Sequence, residues 1–266
     1  MSAARNVTSI VLRAGLRDLS RNRWIALFAA GLFVVTQGLF WFGGTGPQVM
    51  LSLLNIMLLV VPLVSLVFGT MHVYGSREFV ELLLAQPVPR GRLFTGLYLG
   101  LALPLAAAFL AGAVAPFALH LGAGATAGGV LMLAFSGVAL TFAFTAIATW
   151  LALVAEDRLK GVGASLGIWL AATVIYDGIV LAVAASFAAY PLEKPMLGFM
   201  LANPVDLARV LVLTRLDSSA LMGYTGALFQ HSFGTLLGAV IGMSALALWC
   251  AGPLVLASRK FRVRDF

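Results

Sequence analysis

Charge is what this 266-residue sequence has least of. Only 10% of its residues are Asp, Glu, Lys or Arg, against about 25% in a soluble domain. With 61% of residues hydrophobic and a mean hydropathy of +1.02, a soluble core of this length cannot hide the apolar surface, but a bilayer can. Cysteine is nearly absent too. Cys250 stands alone, which excludes an intrachain disulfide and a thiolate metal cluster. No Gly-Lys dipeptide occurs, so the phosphate loop G-x-x-x-x-G-K-[ST] is missing, and ATP cannot be bound by that route. No H-E-x-x-H zinc motif occurs. The three histidines, His72, His120 and His231, fall in different connections and read as polar helix-end residues.

What the sequence does have is apolar runs long enough for a bilayer, which needs about 20 residues per helix. Six qualify: Trp24–Phe42, Leu51–Val73, Leu97–Leu119, Val130–Val154, Gly161–Ala185 and Leu236–Ala257. None holds Lys or Arg, and Asp177 is their one carboxylate. Pro62, Pro104, Pro116 and Pro253 lie inside them and read as kinks, since neighbouring helices can re-satisfy the freed carbonyls. The first run is too long for a signal-peptide core and is read as retained. The expected fold class is all-α: a polytopic membrane bundle of six transmembrane helices forming one domain over residues 1–266.

Orientation follows from where the cations fall. Arg5, Arg13, Arg17, Arg21 and Arg23 precede the first run. Arg77, Arg90 and Arg92 lie between the second and third, and Arg158 and Lys160 between the fourth and fifth. Arg259, Lys260, Arg262 and Arg264 follow the sixth. With six spans all of these share one side, and only Lys194, Arg209 and Arg215 face the other. The basic side is therefore expected in the cytoplasm, with both termini inside. The net charge of +7 then reports topology and lipid head groups rather than nucleic acid.

Three segments are not spans. Within residues 1–23, Thr8, Val11, Leu12, Leu16 and Leu19 share one helical face and Arg13, Arg17 and Arg21 the other. This predicts an amphipathic helix on the inner surface, either a lipid anchor or a lever for a cytoplasmic partner. Residues 74–90 predict a short helix capped by Ser76, running to Gln86 and ended by Pro87 and Pro89. Arg77, Glu78 and Glu81 beside Leu82, Leu83 and Leu84 suit docking into a groove on a soluble protein, or only a tight turn. Residues 186–235 form the one long outer connection. There Asn203 caps a helix, Pro204 takes its first position, and Asp206 sits in its first turn, with Arg209 interrupting an apolar run to Leu216. A second outer helix is expected from Ser218 or Ser219. Such apolar helices need cover, from the lipid interface, each other, or an extracytoplasmic partner.

Small residues recur at four-residue spacing at Gly96/Gly100, Gly163/Gly167 and Gly234/Gly238/Gly242, which allows close crossings within the chain or at a dimer seam. Gly163-Ala-Ser-Leu-Gly167 matches G-x-S-x-G, but the pattern needs a strand-to-helix elbow. Here it opens a membrane helix far from His120 and His231, and His72 has no acidic orienter, so Ser165 reads as a coincidence of small residues. Met196, Met200 and Met222 are irregularly spaced and read as gap fillers. Asp177 is costly in hydrocarbon and must face protein or water. It is either a proton or cation relay or a hydrogen-bonded helix contact near Tyr176.

Three of these segments together resemble permease subunits of type 2 ABC exporters. Gly15-Leu-Arg-Asp-Leu-Ser-Arg-Asn-Arg-Trp24 resembles the family's interfacial helix. Arg77-Glu-Phe-Val-Glu-Leu-Leu-Leu-Ala-Gln-Pro-Val-Pro-Arg90 is similar to its coupling helix, E-x-G-T-L-E-L-L-L-x-x-P-x-S-R. Arg259-Lys-Phe-Arg-Val-Arg-Asp-Phe266 is similar to its basic tail. The usual Gly-Thr is Glu78-Phe79 here, while Glu81, Pro87 and Arg90 keep their places. Within the family, Tyr176-Asp177 and Asn203-Pro-Val-Asp-Leu-Ala-Arg209 resemble the permeases of nitrous oxide reductase maturation.

The resemblance implies a homodimer gripped by two ATPase subunits at Arg77, Glu78, Glu81, Pro87 and Arg90. It also implies a periplasmic β-helical partner near Asn203, Pro204, Asp206 and Arg209, and a role in supplying copper or sulfur to the reductase. ATP would be bound by the partner subunit, with no catalytic residue, cofactor or metal site in this chain. The competing class is a stand-alone ion- or proton-coupled transporter that uses Asp177.

Overall fold

The computed structural model describes residues 23–85, 88–187, 193–216 and 236–263. The expected amphipathic helix before Arg23, Pro87, His231, Met222, the helix after Ser218 and the tail from Arg264 lie outside the described residues. Within them every regular element is helical. The spans are α1 (Arg23–Trp41), α2 (Gly46–Gly75), α4 (Arg90–Leu119), α5 (Ala127–Val154), α6 (Arg158–Ser186) and α9 (Leu236–Val263). Between them lie three short helices: α3 (Arg77–Leu84), α7 (Glu193–Leu201) and α8 (Pro204–Leu213).

All six expected spans are present, and their ends differ for local reasons. Helix α2 starts at Gly46, ahead of the expected Leu51. Thr45 and Gln48 form a reciprocal capping box there, with Pro47 in the first turn. Thr126 and Asp157 likewise accept from the first turns of α5 and α6. Helix α4 starts at Arg90 rather than Leu97, because Pro89 sets the entry and the stems of Arg90 and Arg92 can lie along apolar neighbours. Helix α9 runs past Ala257 to Val263, and its last turn carries Lys260 and Arg262, where the helix dipole favours cations.

The prolines inside the spans do not end them. Pro62, Pro104 and Pro253 sit in continuous helix. Ahead of Pro116, α4 opens into a π-turn over Leu110–Val114, in which the Ala115 N–H reaches back to the Leu110 carbonyl. Such turns absorb a residue that cannot donate.

The core is built on α2, α5 and α9, with Met50, Leu53, Met57 and Leu66 facing Leu133, Leu140 and Phe144. Crossings are close where one helix meets a glycine. A Cβ at Gly69 would lie 2.5 Å from that of Ala148, and one at Gly112 would lie 2.5 Å from the Ala29 carbonyl oxygen. Gly137 lies under the Phe109 ring and Gly161 under Tyr74. The expected pair Gly163/Gly167 is not such a crossing, since a Cβ at either meets nothing within 4 Å. They lie on α6, whose most apolar stretch is 0% buried within the chain, against 61% for α4.

The basic connections converge at one end. The Tyr74 hydroxyl lies 3.0 Å from the Ala155 carbonyl oxygen and 3.1 Å from that of Asp157, and the Arg90 guanidinium donates to the Arg262 carbonyl. The connections after α2 and α5 and the end of α9 therefore share a face, as the cation count requires.

Candidate functional site

At that basic end, α3 is a short amphipathic helix. Val80 is buried among Leu93, Phe94, Leu153 and Phe261, with Leu83 and Leu84 packed against the same cluster. Glu78, Phe79, Glu81 and Leu82 are exposed. The Ser76 hydroxyl does not cap α3 as expected. It donates backward to the His72 carbonyl, and the helix ends at Leu84 rather than Gln86.

The two arginines of this segment point inward. Arg77 donates to the carbonyls of Glu156 (3.0 Å), Ala155 (3.3 Å) and Ala152 (3.4 Å) at the end of α5, and its guanidinium lies 4.4 Å from the Tyr74 ring centroid. It satisfies carbonyls that a helix end leaves open. Arg90 braces the end of α9. The charged groups that α3 presents outward are thus its carboxylates, with Phe79 and Leu82 between them. Tyr74, which ties the turn to α5, was not singled out in the sequence. An isolated tyrosine at a helix end carries no pattern that would mark it.

The second site lies toward the other end, where α7 and α8 form a hairpin that enters the bundle. The Asn203 amide donates to the Ala172 carbonyl (2.8 Å), and Trp249 Nε1 donates to the Leu201 carbonyl (3.0 Å). Ala172 and Trp249 are near the midpoints of α6 and α9, so the hairpin tip reaches about 20 Å from the span ends at 1.5 Å per residue. Irregular backbone at that depth is tolerated where protein buries it. The cover that α8 needs is therefore supplied by the bundle itself: Val205, Leu207, Ala208, Leu211 and Val212 belong to the main core. Met196 and Met200 are buried beside it, as gap fillers would be.

Asn203 does what its position suggests and more. Its side-chain oxygen caps α8 at the Val205 N–H (3.0 Å), while its nitrogen reaches Ala172. Ala172 lies in a second π-turn, Ala171–Ile175, just before Tyr176 and Asp177. The Tyr176 hydroxyl donates to the Phe199 carbonyl (2.5 Å) on α7.

The two sets of polar residues that the sequence separates, an intramembrane pair and an outer docking set, are one cluster. Arg209 grips Asp177 through both carboxylate oxygens (2.9 and 3.3 Å) and Asp206 through one (2.9 Å). Asn203 lies 3.5 Å from the other Asp206 oxygen. A fork-to-fork guanidinium–carboxylate pair fixes orientation as well as charge. Asn203 and Asp206 are only 2% and 8% exposed, so neither offers a docking surface in this arrangement. Asp177 is therefore a helix contact here, bound by a cation that no spacing rule joins to it. Ser165 is likewise structural: it is buried, 2.6 Å from Thr70 and 3.0 Å from the Gly161 carbonyl. No group of three potential metal ligands occurs among the described residues.

The bundle and the amphipathic helix between its second and third spans can be set beside known proteins. Residues 6–266 match the ABC-2 family transporter proteins. The chain belongs to this family. Two relatives cover 96% of the chain and 97% of their own length. Both bear the name probable ABC transporter permease protein NosY: one from Pseudomonas aeruginosa at 28% identity and one from Stutzerimonas stutzeri at 27%. The chain is a multi-pass membrane protein and an ABC transporter permease subunit, the part of such a transporter that is not the ATPase.

Proposed function

We propose that this permease acts as a homodimer with two copies of a separate ATPase, and that it carries ATP-driven motion from α3 at the cytoplasmic face to the α7–α8 hairpin. The observation that carries the reading is the split at α3. Its carboxylates and Phe79 and Leu82 face outward, while Val80, Arg77 and Arg90 hold the helix to the ends of α5 and α9. A partner that moves α3 therefore moves two spans. Both also contact α8, whose Arg209 holds α6 through Asp177. The unburied face of α6, with Gly163 and Gly167, supports a second copy of the chain as a neighbour. Likeness to NosY permeases supports a role in assembling the copper–sulfur centre of nitrous oxide reductase in the inner membrane. Copper or sulfur is then the cargo, and a periplasmic β-helical protein the outer partner.

Co-expression with candidate ATPases tests this. The chain is expected to purify as a two-plus-two complex, and Glu78→Lys with Glu81→Lys is expected to lose the ATPase while inserting normally. An ATPase that stays bound to the charge-reversed chain sinks the docking assignment. The stand-alone ion-coupled reading fares worse, because Asp177 and its neighbour Asp206 are both held by Arg209.

A further inference from the structure

We infer that the outer ends of α1 and α4 form a binding site for an amine lipid headgroup, of the phosphatidylethanolamine type. A cavity of about 400 Å³ opens there, lined among others by Phe33, Gln37, Gly38, Trp41 and His120. Two polar side chains line it, Gln37 and His120. Gln37 Oε1 is buried and has no hydrogen-bond partner among the described residues. His120 stacks flat on Phe40, ring centroids 4.1 Å apart, with Nδ1 2.9 Å from the Pro116 carbonyl oxygen. A carbonyl only accepts, so Nδ1 carries the proton. In the neutral ring Nε2 is then a lone-pair acceptor.

A buried acceptor without a donor is costly, so the cavity is suited to a ligand that brings N–H groups. An ammonium brings three. The aromatic walls Phe33 and Trp41 offer π-faces that attract a cation. Among the described residues no Lys or Arg lines the cavity, which disfavours an anion, and a single imidazole nitrogen makes a poor metal site. The depth selects a lipid over a soluble amine. Trp41 and Phe42 are 93% and 92% exposed and Leu119 and Leu121 are also exposed, forming an aromatic and apolar rim of the kind found at headgroup level. Acyl chains would run down this rim. Gly38 keeps the groove open, since a Cβ there meets nothing within 4 Å.

The test is native mass spectrometry of the full chain released from bilayers holding equal phosphatidylethanolamine and phosphatidylglycerol. The native chain is expected to retain the amine lipid about tenfold over the glycerol lipid, the ratio one charge-assisted hydrogen bond supplies. Gln37→Leu and Gly38→Leu should bring the ratio to parity. Gln37→Glu, which supplies a carboxylate, should raise it, and this gain cannot come from misfolding. Equal retention by the native chain, or an unchanged ratio in all three variants, overturns the site. Displacement of the lipid by millimolar free ethanolamine assigns the pocket to a soluble amine and overturns the lipid assignment.

Discussion

Two short helices of this permease carry nearly the same polar equipment and use it in opposite ways. Helix α3 has Arg77, Glu78 and Glu81, with Arg90 a few residues on; α8 has Asn203, Asp206 and Arg209. At α3 the arginines turn into the protein and the carboxylates stay outside. At α8 the carboxylate and the arginine both turn in and meet a second carboxylate from a span. A charge left outside after its neighbours are satisfied is available to a partner. A charge paired inside holds two elements of one chain together. The contrast is one of burial rather than residue type, and it separates a docking surface from an internal link.

The comparison breaks most visibly at Arg209. Arg209→Leu leaves Asp177 and Asp206 facing each other without a cation. It is expected to destabilise the fold by about 1 to 3 kcal/mol, since a part-buried cluster that loses its cation strands two carboxylates. Thermal unfolding in detergent measures this, and adding Asp177→Asn and Asp206→Asn to the variant should recover most of the loss. Full stability of Arg209→Leu alone would mean the cluster holds nothing.

Arg77→Ala comes next. It frees carbonyls at the end of α5 and removes the contact with Tyr74, so a loss of about 2 kcal/mol is expected in the same assay. The matched variant at Glu81 should change stability by no more than about 0.5 kcal/mol, as exposed positions do. Equal losses at the two positions would erase the distinction drawn within α3.

Asn203 divides its own two roles. Asn203→Ala should cost about 1 to 2 kcal/mol as a lost cap. Asn203→Asp keeps an acceptor for the Val205 N–H but loses the donor to Ala172. It also sets a new carboxylate beside Asp206, so it should not restore stability. Restoration by Asp would show that the cap alone matters and that the π-turn carbonyl does not.

Smallest for the isolated chain is Gly163→Ile on α6. Nothing lies within 4 Å of a Cβ there, so monomer stability should stay within about 0.5 kcal/mol. Dimerisation, read by cross-linking or mass photometry, should fall. An unchanged dimer would move the seam off this face of α6.

Much of this architecture is legible in the sequence because apolar length and cation placement are one-dimensional signals. The six spans, their common basic end and the Asn203 cap need only local pattern. What the pattern does not carry is depth. Asn203, Asp206 and Arg209 lie in a connection, and a connection reads as surface; the hydrogen bonds to Ala172 and Leu201, with the burial of α8 in the main core, show that it re-enters the bundle. Likewise Asp177 and Arg209 are 32 residues apart and share no motif, so their pairing follows from the fold. The direction of Arg77 was equally hidden. A helical repeat places it on the polar side of α3 but cannot tell that the end of α5 lies beside it.

The central claim is that motion of α3 reaches the hairpin. Hydrogen–deuterium exchange over residues 204–213, in the complex with its ATPase, tests it directly when compared with and without a non-hydrolysable ATP analogue. Nucleotide should change the protection of these amides in the native complex, and the change should vanish in the Glu78→Lys, Glu81→Lys chain. Identical exchange in all states, with nucleotide bound to the ATPase, would contradict the account.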